Sequence, residues 1–235
     1  LFSILVFYSL IVVSAVANAD DALAQPQHLG RGVNIIGYDP LWRSMEKGRF
    51  KERYFAMIKD VGFDHVRINL HPLRDHAMDA DHQLSDAWLA TLDWAVENSL
   101  KNQLKVILDF HEFSTLGEAP EANKEAFLSF WRQIAARYAN QPDEVVFEIL
   151  NEPNKKLTPE LWNEYLSEAL TIIREHNPTR TVIIGPGSWN NINSLDKLKL
   201  PENDRHIVVT VHYYNPFAFT HQGAGWTDRK DKVGV

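Results

Sequence analysis

Short apolar runs alternate with longer segments of helical periodicity from Arg31 to Tyr214, and about twenty residues of predicted loop follow. Six runs are rich in strand-forming residues, and several are nearly continuous in apolar side chains, which is typical of parallel strands buried on both faces. They predict strands at residues 32–36, 65–70, 105–111, 145–150, 181–186 and 207–214. No linker, repeat or low-complexity segment interrupts the alternation.

Between these runs, apolar residues recur at helical spacing, first over residues 49–61. Ser85 is placed to cap a second helix and Asn123 a third. Thr158 followed by Pro159 predicts the start of a long helix that ends before Asn177.

Six strand–helix steps in order indicate an α/β protein with a parallel sheet, and their regularity favours a (β/α)8 TIM barrel over an open doubly wound sheet. The glycine-rich phosphate-binding motifs of nucleotide-binding sheets do not follow any predicted strand. A barrel of this type typically has about 250 residues. We therefore expect an incomplete barrel domain over residues 31–235, with about six of the eight units and with the C-terminal strands beyond Val235.

Composition narrows the classes of partner. The chain has 31 Asp and Glu against 24 Lys and Arg, a formal charge of -7, and no basic stripe that could neutralise phosphates, so we expect no nucleic-acid partner. Cysteine is absent from the sequence, which excludes disulfides, zinc–thiolate sites and a thiol nucleophile.

The first residues read as a targeting segment. Residues 1–17 are uncharged and mostly apolar, and Ala17-Asn18-Ala19 fits a signal-peptidase site. We predict a partial signal peptide over residues 1–24, cleaved near Ala19 or Ala24, and a secreted protein, extracellular or periplasmic, without stable membrane association after cleavage. An uncleaved membrane anchor is the alternative, because about 17 apolar residues is the lower limit for spanning a bilayer.

Polar side chains cluster at the C-terminal ends of the predicted strands, where parallel barrels build their active sites. The fourth run ends in VVFEILNEPN, and Pro153 stops the strand so that Glu152 stands at its tip. Strand alternation places Arg67, His111, His212 and Tyr214 on the faces that would line the same mouth.

Three further carboxylates are assigned other roles. The same alternation puts Asp109 and Glu148 deeper in the barrel, where they are expected to be structural partners of Arg67. Glu112 points away from the His111 face and is expected to be an exposed loop residue.

The sequence ILNEPN after VVFE resembles the signature of glycoside hydrolase family 5, the retaining endo-β-glycanases that include many bacterial cellulases. The resemblance covers nearly all of the chain after Arg31, because the family also has an Arg after the second strand, a His after the third and His-x-Tyr after the sixth. It implies that Glu152 is the acid/base, that Asn151 and His111 hold the sugar and that His212 orients the acid/base. Arg67 and Tyr214 would keep the nucleophile charged and correctly placed.

The activity implied by the resemblance is cleavage of a β-1,4-linked glucan, a cellulose-type polysaccharide, by double displacement. The family's nucleophile is a Glu at the tip of the seventh strand, which we expect beyond Val235. No metal and no organic cofactor is implied.

The seven tryptophans fall into two groups. Trp88, Trp94, Trp131 and Trp162 lie in predicted helices and are expected to pack them against the sheet. The others lie in loops after strands, where a flat ring can stack on a pyranose. With Tyr214, these loop residues predict a glycan-binding cleft: Trp42, Trp189 and Trp226.

Alternatives stay open within and outside this class. A β-mannanase or another β-glycanase of the same family would carry the same motifs, and a catalytically inactive glycan-binding barrel would keep the tryptophans. A metal-dependent barrel hydrolase could use Asp79, Asp81 and His82, although no His-x-His stands at a strand tip.

Overall fold

The structure is a computed structural model that describes residues 28–234. The predicted signal peptide, residues 1–24, lies outside the described residues. Six parallel strands form one sheet in chain order, each paired with the next. The strands are β1 (Gly32–Ile35), β2 (His65–Leu70), β3 (Lys105–Phe110), β4 (Val145–Glu148), β5 (Val182–Ile184) and β6 (Ile207–Val209).

Helices follow the strands and cover one face of the sheet. They are α1 (Arg53–Asp60), α2 (Asp86–Lys101), α3 (Phe113–Glu118), α4 (Pro120–Arg137), α5 (Pro159–His176), the single turn α6 (Gly187–Asn190) and α7 (Phe217–Thr220), with 3-10 turns at Pro40–Trp42, Met45–Lys47 and Ile192–Lys197. No helix among residues 28–234 is both long enough and apolar enough to cross a membrane.

The two faces of the sheet differ in chemistry. Toward the helices, alternate strand residues such as Ile68, Leu108 and Phe147 enter one large apolar core. The opposite face carries a small apolar cluster of Ile107, Val146 and Ile183. Charged and polar side chains lie beyond that cluster toward the C-terminal strand ends, so the alternation of each strand separates packing from chemistry.

The predicted helix caps are mostly confirmed. The Ser85 hydroxyl accepts from the N–H of Trp88, and the Thr158 hydroxyl accepts from the N–H of Leu161. The third helix is the exception, because α4 begins at Pro120 and Asn123 lies inside it, donating from its side chain to the Ala119 carbonyl. Proline at the first helical position starts this helix four residues earlier than a cap at Asn123 would.

The predicted second strand matches β2 residue for residue, and the other five are correct in position but extend past the C-terminal ends of the observed strands. The sixth is the largest error, since residues 210–214 continue as irregular chain instead of strand. The helical tryptophans pack as predicted: Trp88, Trp131 and Trp162 are fully buried, and Trp94 packs against the core.

Candidate active site

A buried ion cluster lies on the inner face of β2–β4. The Arg67 guanidinium makes two hydrogen bonds with Glu148, from Nε to Oε2 at 2.6 Å and from Nη2 to Oε1 at 2.7 Å. Its Nη2 is also 3.0 Å from Oδ2 of Asp109, which is the neighbour of Glu148 in the β3–β4 register. Arg67 is therefore the counter-charge shared by two adjacent buried carboxylates, as predicted for these three residues.

The electrostatics follow from this arrangement. Burial alone would raise the pKa of Asp109, but the positive charge of Arg67 and the contact with His111 hold that pKa below its ordinary value. The pKa of Glu148 is raised, by burial and by the nearby Asp109. For Arg67, burial opposes the charged form, yet the two carboxylates raise its pKa.

His111 is fixed at the end of β3 by its neighbours. Its Nδ1 contacts Oδ2 of Asp109, which also accepts from the Asn69 side-chain amide at 3.1 Å. The His111 ring packs edge-on against His71 and Phe113, with centroid distances of 4.9 and 5.3 Å. A histidine held in this way presents one defined ring edge.

Glu152 lies on a tight turn just past β4. Its backbone is left-handed, with φ 47°, a conformation that is uncommon for a residue other than glycine. The Asn154 side chain donates to the Glu152 carbonyl at 2.6 Å, and the N–H of Trp189 donates to the Pro153 carbonyl at 3.0 Å. These bonds fix the backbone that aims the carboxylate.

The Glu152 carboxylate is contacted by two residues that follow β6. His212 Nδ1 is 2.6 Å from Oε1 of Glu152, and the Tyr214 hydroxyl donates to the same oxygen at 3.5 Å. Burial and the Glu152 carboxylate together raise the pKa of Tyr214, which keeps the phenol protonated as a donor.

Asn151 connects the ion cluster to the turn. Its Oδ1 accepts from Arg67 Nη2 at 3.0 Å, and its backbone N–H donates to the Phe110 carbonyl of β3. The structure thus brings together six of the residues singled out in the sequence: Arg67, His111, Asn151, Glu152, His212 and Tyr214.

The three loop tryptophans differ from one another. Trp42 is only 5% exposed, stacks on Trp88 at 5.0 Å and donates from its indole N–H to the Ile36 carbonyl. The prediction that Trp42 offers a face to a sugar is therefore wrong, because the 3-10 turn carrying it folds back onto α2. Trp189 is 49% exposed beside the Glu152 turn. Trp226 is 84% exposed, and among the described residues no ring contact joins it to the cluster.

Glu112 also departs from its prediction. Instead of being exposed it is 4% accessible, and its Oε1 accepts from the backbone N–H groups of Leu73 and Arg74 at 2.7 and 2.9 Å. β3 ends at Phe110, so strand alternation does not extend to this position. Burial raises the pKa of Glu112.

A cation site is not formed by the residues that the structure describes, since no group of three or more His, Cys, Asp or Glu there could hold a metal ion. Asp79 instead closes a turn, accepting from the N–H groups of Asp81 and Gln83.

One family model matches the sequence of the residues that form this fold and site. Residues 27–234 match the sequence model described as "Cellulase (glycosyl hydrolase family 5)". The chain belongs to glycosyl hydrolase family 5. The resemblance found in the sequence is thus confirmed over nearly the whole described range.

Relatives in family 5 are longer than this chain. Endoglucanase H of Acetivibrio thermocellus is 33% identical over 228 residues, which cover 93% of this chain and 24% of the relative. Thermotoga maritima Cel5A, solved with cellobiose, superposes with a TM-score of 0.80 at 41% identity, covering 88% of this chain and 68% of that one. Its complex with mannotriose gives 0.79 at 40% identity, with 88% and 69% covered.

These family 5 relatives confirm the fold prediction. The described residues form six consecutive β/α units of a TIM barrel, with β1 and β6 at the two ends of the sheet.

Proposed function

We propose that this chain is the main part of the catalytic domain of a secreted, retaining endo-β-1,4-glucanase. The observation that carries the proposal is the position of the Glu152 carboxylate. It lies on a constrained turn, is contacted by His212 and Tyr214, and is next to the ion cluster that contains Arg67. A carboxyl group with fixed neighbours at the mouth of a barrel is suited to proton transfer.

In this mechanism Glu152 first acts as the acid and protonates the glycosidic oxygen that leaves. A second carboxylate, about 5 to 5.5 Å away, attacks the anomeric carbon and forms a glycosyl-enzyme. Glu152, now a carboxylate, then removes a proton from the water that hydrolyses this intermediate.

We assign the nucleophile to a Glu beyond Val235. The buried carboxylates nearest in sequence and register, Asp109 and Glu148, are already engaged by Arg67. Both are buried more deeply than Glu152, so neither can reach the anomeric carbon of a sugar bound at the mouth.

The neighbouring side chains have separate roles in the proposal. Two residues keep the nucleophile ionised: Arg67 through its positive charge and Tyr214 through its hydroxyl. His111 and Asn151 hold sugar hydroxyls, and Trp189 and Trp226 supply exposed ring faces for pyranose stacking. Trp42 is not part of this surface.

A β-mannan is the second candidate substrate. The similar Thermotoga maritima enzyme was solved both with cellobiose and with mannotriose, so the same scaffold can accept either type of sugar there. Such polymers are too large to enter a cell, which supports export and the predicted signal peptide.

A panel assay of the full-length enzyme tests this function. Reducing ends should be released from soluble β-1,4-glucan at mid-chain, with mannan as the second arm. Glu152→Gln should lower that rate by about 10²- to 10⁴-fold, whereas Glu202→Gln, an exposed surface change, should leave it unaltered. A folded enzyme that binds these polymers but cleaves none would show an inactive binding barrel.

A further inference from the structure

Three consecutive residues after β5 have left-handed backbone conformations, with φ 58° at Ser188, 62° at Trp189 and 54° at Asn190. A run of this kind in residues other than glycine persists only where its surroundings hold it. Here the turn is bonded on both sides: Trp189 N–H donates to the Pro153 carbonyl, and the Asn190 carbonyl accepts from the N–H of His212 at 2.9 Å.

The Asn190 side chain occupies a space shaped for it. It is completely buried, and it fits because Gly185 has no side chain. A Cβ at Gly185 would lie 2.3 Å from Cγ of Asn190, far closer than real atoms approach.

This buried amide contacts the histidine that contacts Glu152. Asn190 Nδ2 is 3.3 Å from Nε2 of His212, and the other ring nitrogen, Nδ1, is 2.6 Å from Oε1 of Glu152. An amide nitrogen can only donate, so Nε2 must accept and the single proton of the neutral ring is on Nδ1.

We propose that Asn190 is a positioning residue that holds His212 as its Nδ1–H tautomer, so that Oε1 of Glu152 accepts a hydrogen bond and Oε2 carries the acid proton. The proposal rests on the acid/base role proposed for Glu152. The second donor to the carboxylate, the Tyr214 hydroxyl, also points to Oε1. With both donors on one oxygen, the carboxyl proton is directed to the other.

The chemical step then has a defined donor atom. The proton on Oε2 moves to the glycosidic oxygen as its bond to the anomeric carbon breaks, and the bonding electron pair goes to that oxygen. Glu152 is left as a carboxylate whose Oε1 still accepts from the ring N–H of His212.

The side-chain amide of Asn190 has a second orientation, which would hold a different form of the His212 ring. Oδ1 of Asn190 is buried and has no hydrogen-bond partner among the described residues. If the amide turned over, Oδ1 would accept from an Nε2–H group, and His212 would be either an imidazolium or the opposite tautomer. Asn190 thus selects between the forms of the ring.

Besides Asn190, charged groups lie near the His212 ring. Glu152 contacts its ring, and Glu148 lies near enough to interact with it electrostatically. Tyr214 packs against the His212 ring and contributes a neutral hydroxyl, and the positive charge of Arg67 acts on Tyr214. Asn190 adds no charge, so Asn190→Asp would place a third carboxylate against the ring.

The wild-type enzyme provides the first test, by ¹⁵N NMR of histidine-labelled full-length protein, with His212→Gln used to assign the signal. We expect a protonated Nδ1 and an unprotonated Nε2 at the pH of maximal activity. An imidazolium or an Nε2–H tautomer would overturn the proposal, whether or not the enzyme cleaves glucan.

Kinetics of Asn190→Asp provide the second test. An imidazolium stabilised by the new carboxylate favours ionised Glu152, so the basic limb of kcat on β-glucan should move to lower pH by about 1 unit. KM should change little. Asn193→Asp introduces the same charge at an exposed position three residues away and should leave the profile in place.

Asn190→Ala separates positioning from folding. It should lower kcat on polymer about tenfold, the scale of one hydrogen bond, with little loss on an aryl glycoside whose leaving group needs no proton. Equal losses on both substrates at every pH, with an unshifted basic limb in either variant, would reduce Asn190 to a packing residue.

Discussion

The two parts of the sheet that form the candidate site are built differently. In the β2–β4 region the strands have six, six and four residues, and their polar side chains are buried and paired. In the β5–β6 region the strands have three residues each, and the site residues come from the loops that follow. Paired strands hold the buried charges, and loops hold the exposed aromatic groups.

Exposure shows the same contrast. Asp109 and Glu148 are inaccessible to solvent, whereas Trp189 and Tyr214 are about half exposed. Buried charges need fixed partners, because an unpaired ion in a protein interior is costly. An aromatic ring that stacks on sugars must instead remain open on one face. Glu152 lies between the two regions, on a turn that is bonded to both.

Breaking the charge balance of the β2–β4 region should have the largest effect. Arg67→Met leaves Asp109 and Glu148 buried without a counter-charge, and we expect a loss of about 3 to 5 kcal/mol in the free energy of unfolding, measured by denaturant titration of the full-length enzyme. Activity should be lost as well.

The loss of stability in Arg67→Met should depend on pH, and the direction of that dependence can be derived. Without Arg67, the folded-state pKa of each carboxyl rises above its unfolded value. The variant is therefore least destabilised at low pH, and its loss of unfolding free energy relative to wild type grows as pH rises through the folded-state pKa values. Arg132→Met, at an exposed ion pair with Glu125, should cost less than about 1 kcal/mol. Equal losses in the two variants would contradict the contrast between buried and exposed pairs.

Two tryptophans test the same contrast outside the ion cluster. Trp42→Ala empties a buried site against Trp88 and should destabilise the fold by about 3 to 5 kcal/mol. Trp189→Ala should leave unfolding almost unchanged but raise KM for soluble glucan about three- to tenfold, corresponding to roughly 0.5 to 1.5 kcal/mol of aromatic contact. Unfolding curves and steady-state kinetics of both variants measure this, and a KM effect confined to Trp42→Ala would reverse the assignment.

Replacing Glu112 should give the smallest effect. This change tests whether the loop at residues 71–76 belongs to the buried region. Burial raises the folded pKa of Glu112 above the unfolded value, so its contribution to stability is greatest below the unfolded pKa and is lost as pH rises through the folded one. Glu112→Gln keeps an oxygen for the two backbone N–H groups but does not ionise. The stability of the variant relative to wild type should therefore increase from pH 4 to pH 7; a constant difference would mean that the carboxyl pKa is unshifted.

The sequence predicts the β2–β4 region better than the β5–β6 region, for a physical reason. The period of two along a strand fixes the side of the sheet on which Arg67, Asp109 and Glu148 lie, and the structure places them as predicted. Alternation stops where the strand stops, so it fails for Glu112, only two residues past β3.

Loop residues carry no such period. Trp42 and Trp189 both follow strands and look alike in sequence, yet one folds back under α2 while the other is held outward by its bond to Pro153. No pattern in the sequence indicated a role for Asn190, because that role depends on a left-handed turn and on the space left by Gly185. Strand alternation also singled out His212 and Tyr214, but β6 ends at Val209 and does not reach them, so the His-x-Tyr pattern of the family is the signal that applies to these two residues.

The central claim is that Glu152 is the acid/base of a retaining hydrolase. The most direct measurement is chemical rescue of full-length Glu152→Ala acting on an aryl β-cellobioside with a good leaving group. Formation of the glycosyl-enzyme then needs no acid, but its hydrolysis lacks a base, so turnover should stall. Added azide fits the space left by the carboxylate and attacks without base assistance; we predict faster turnover and a β-glycosyl azide product. An unchanged rate with azide, or an α-configured azide, would contradict the account.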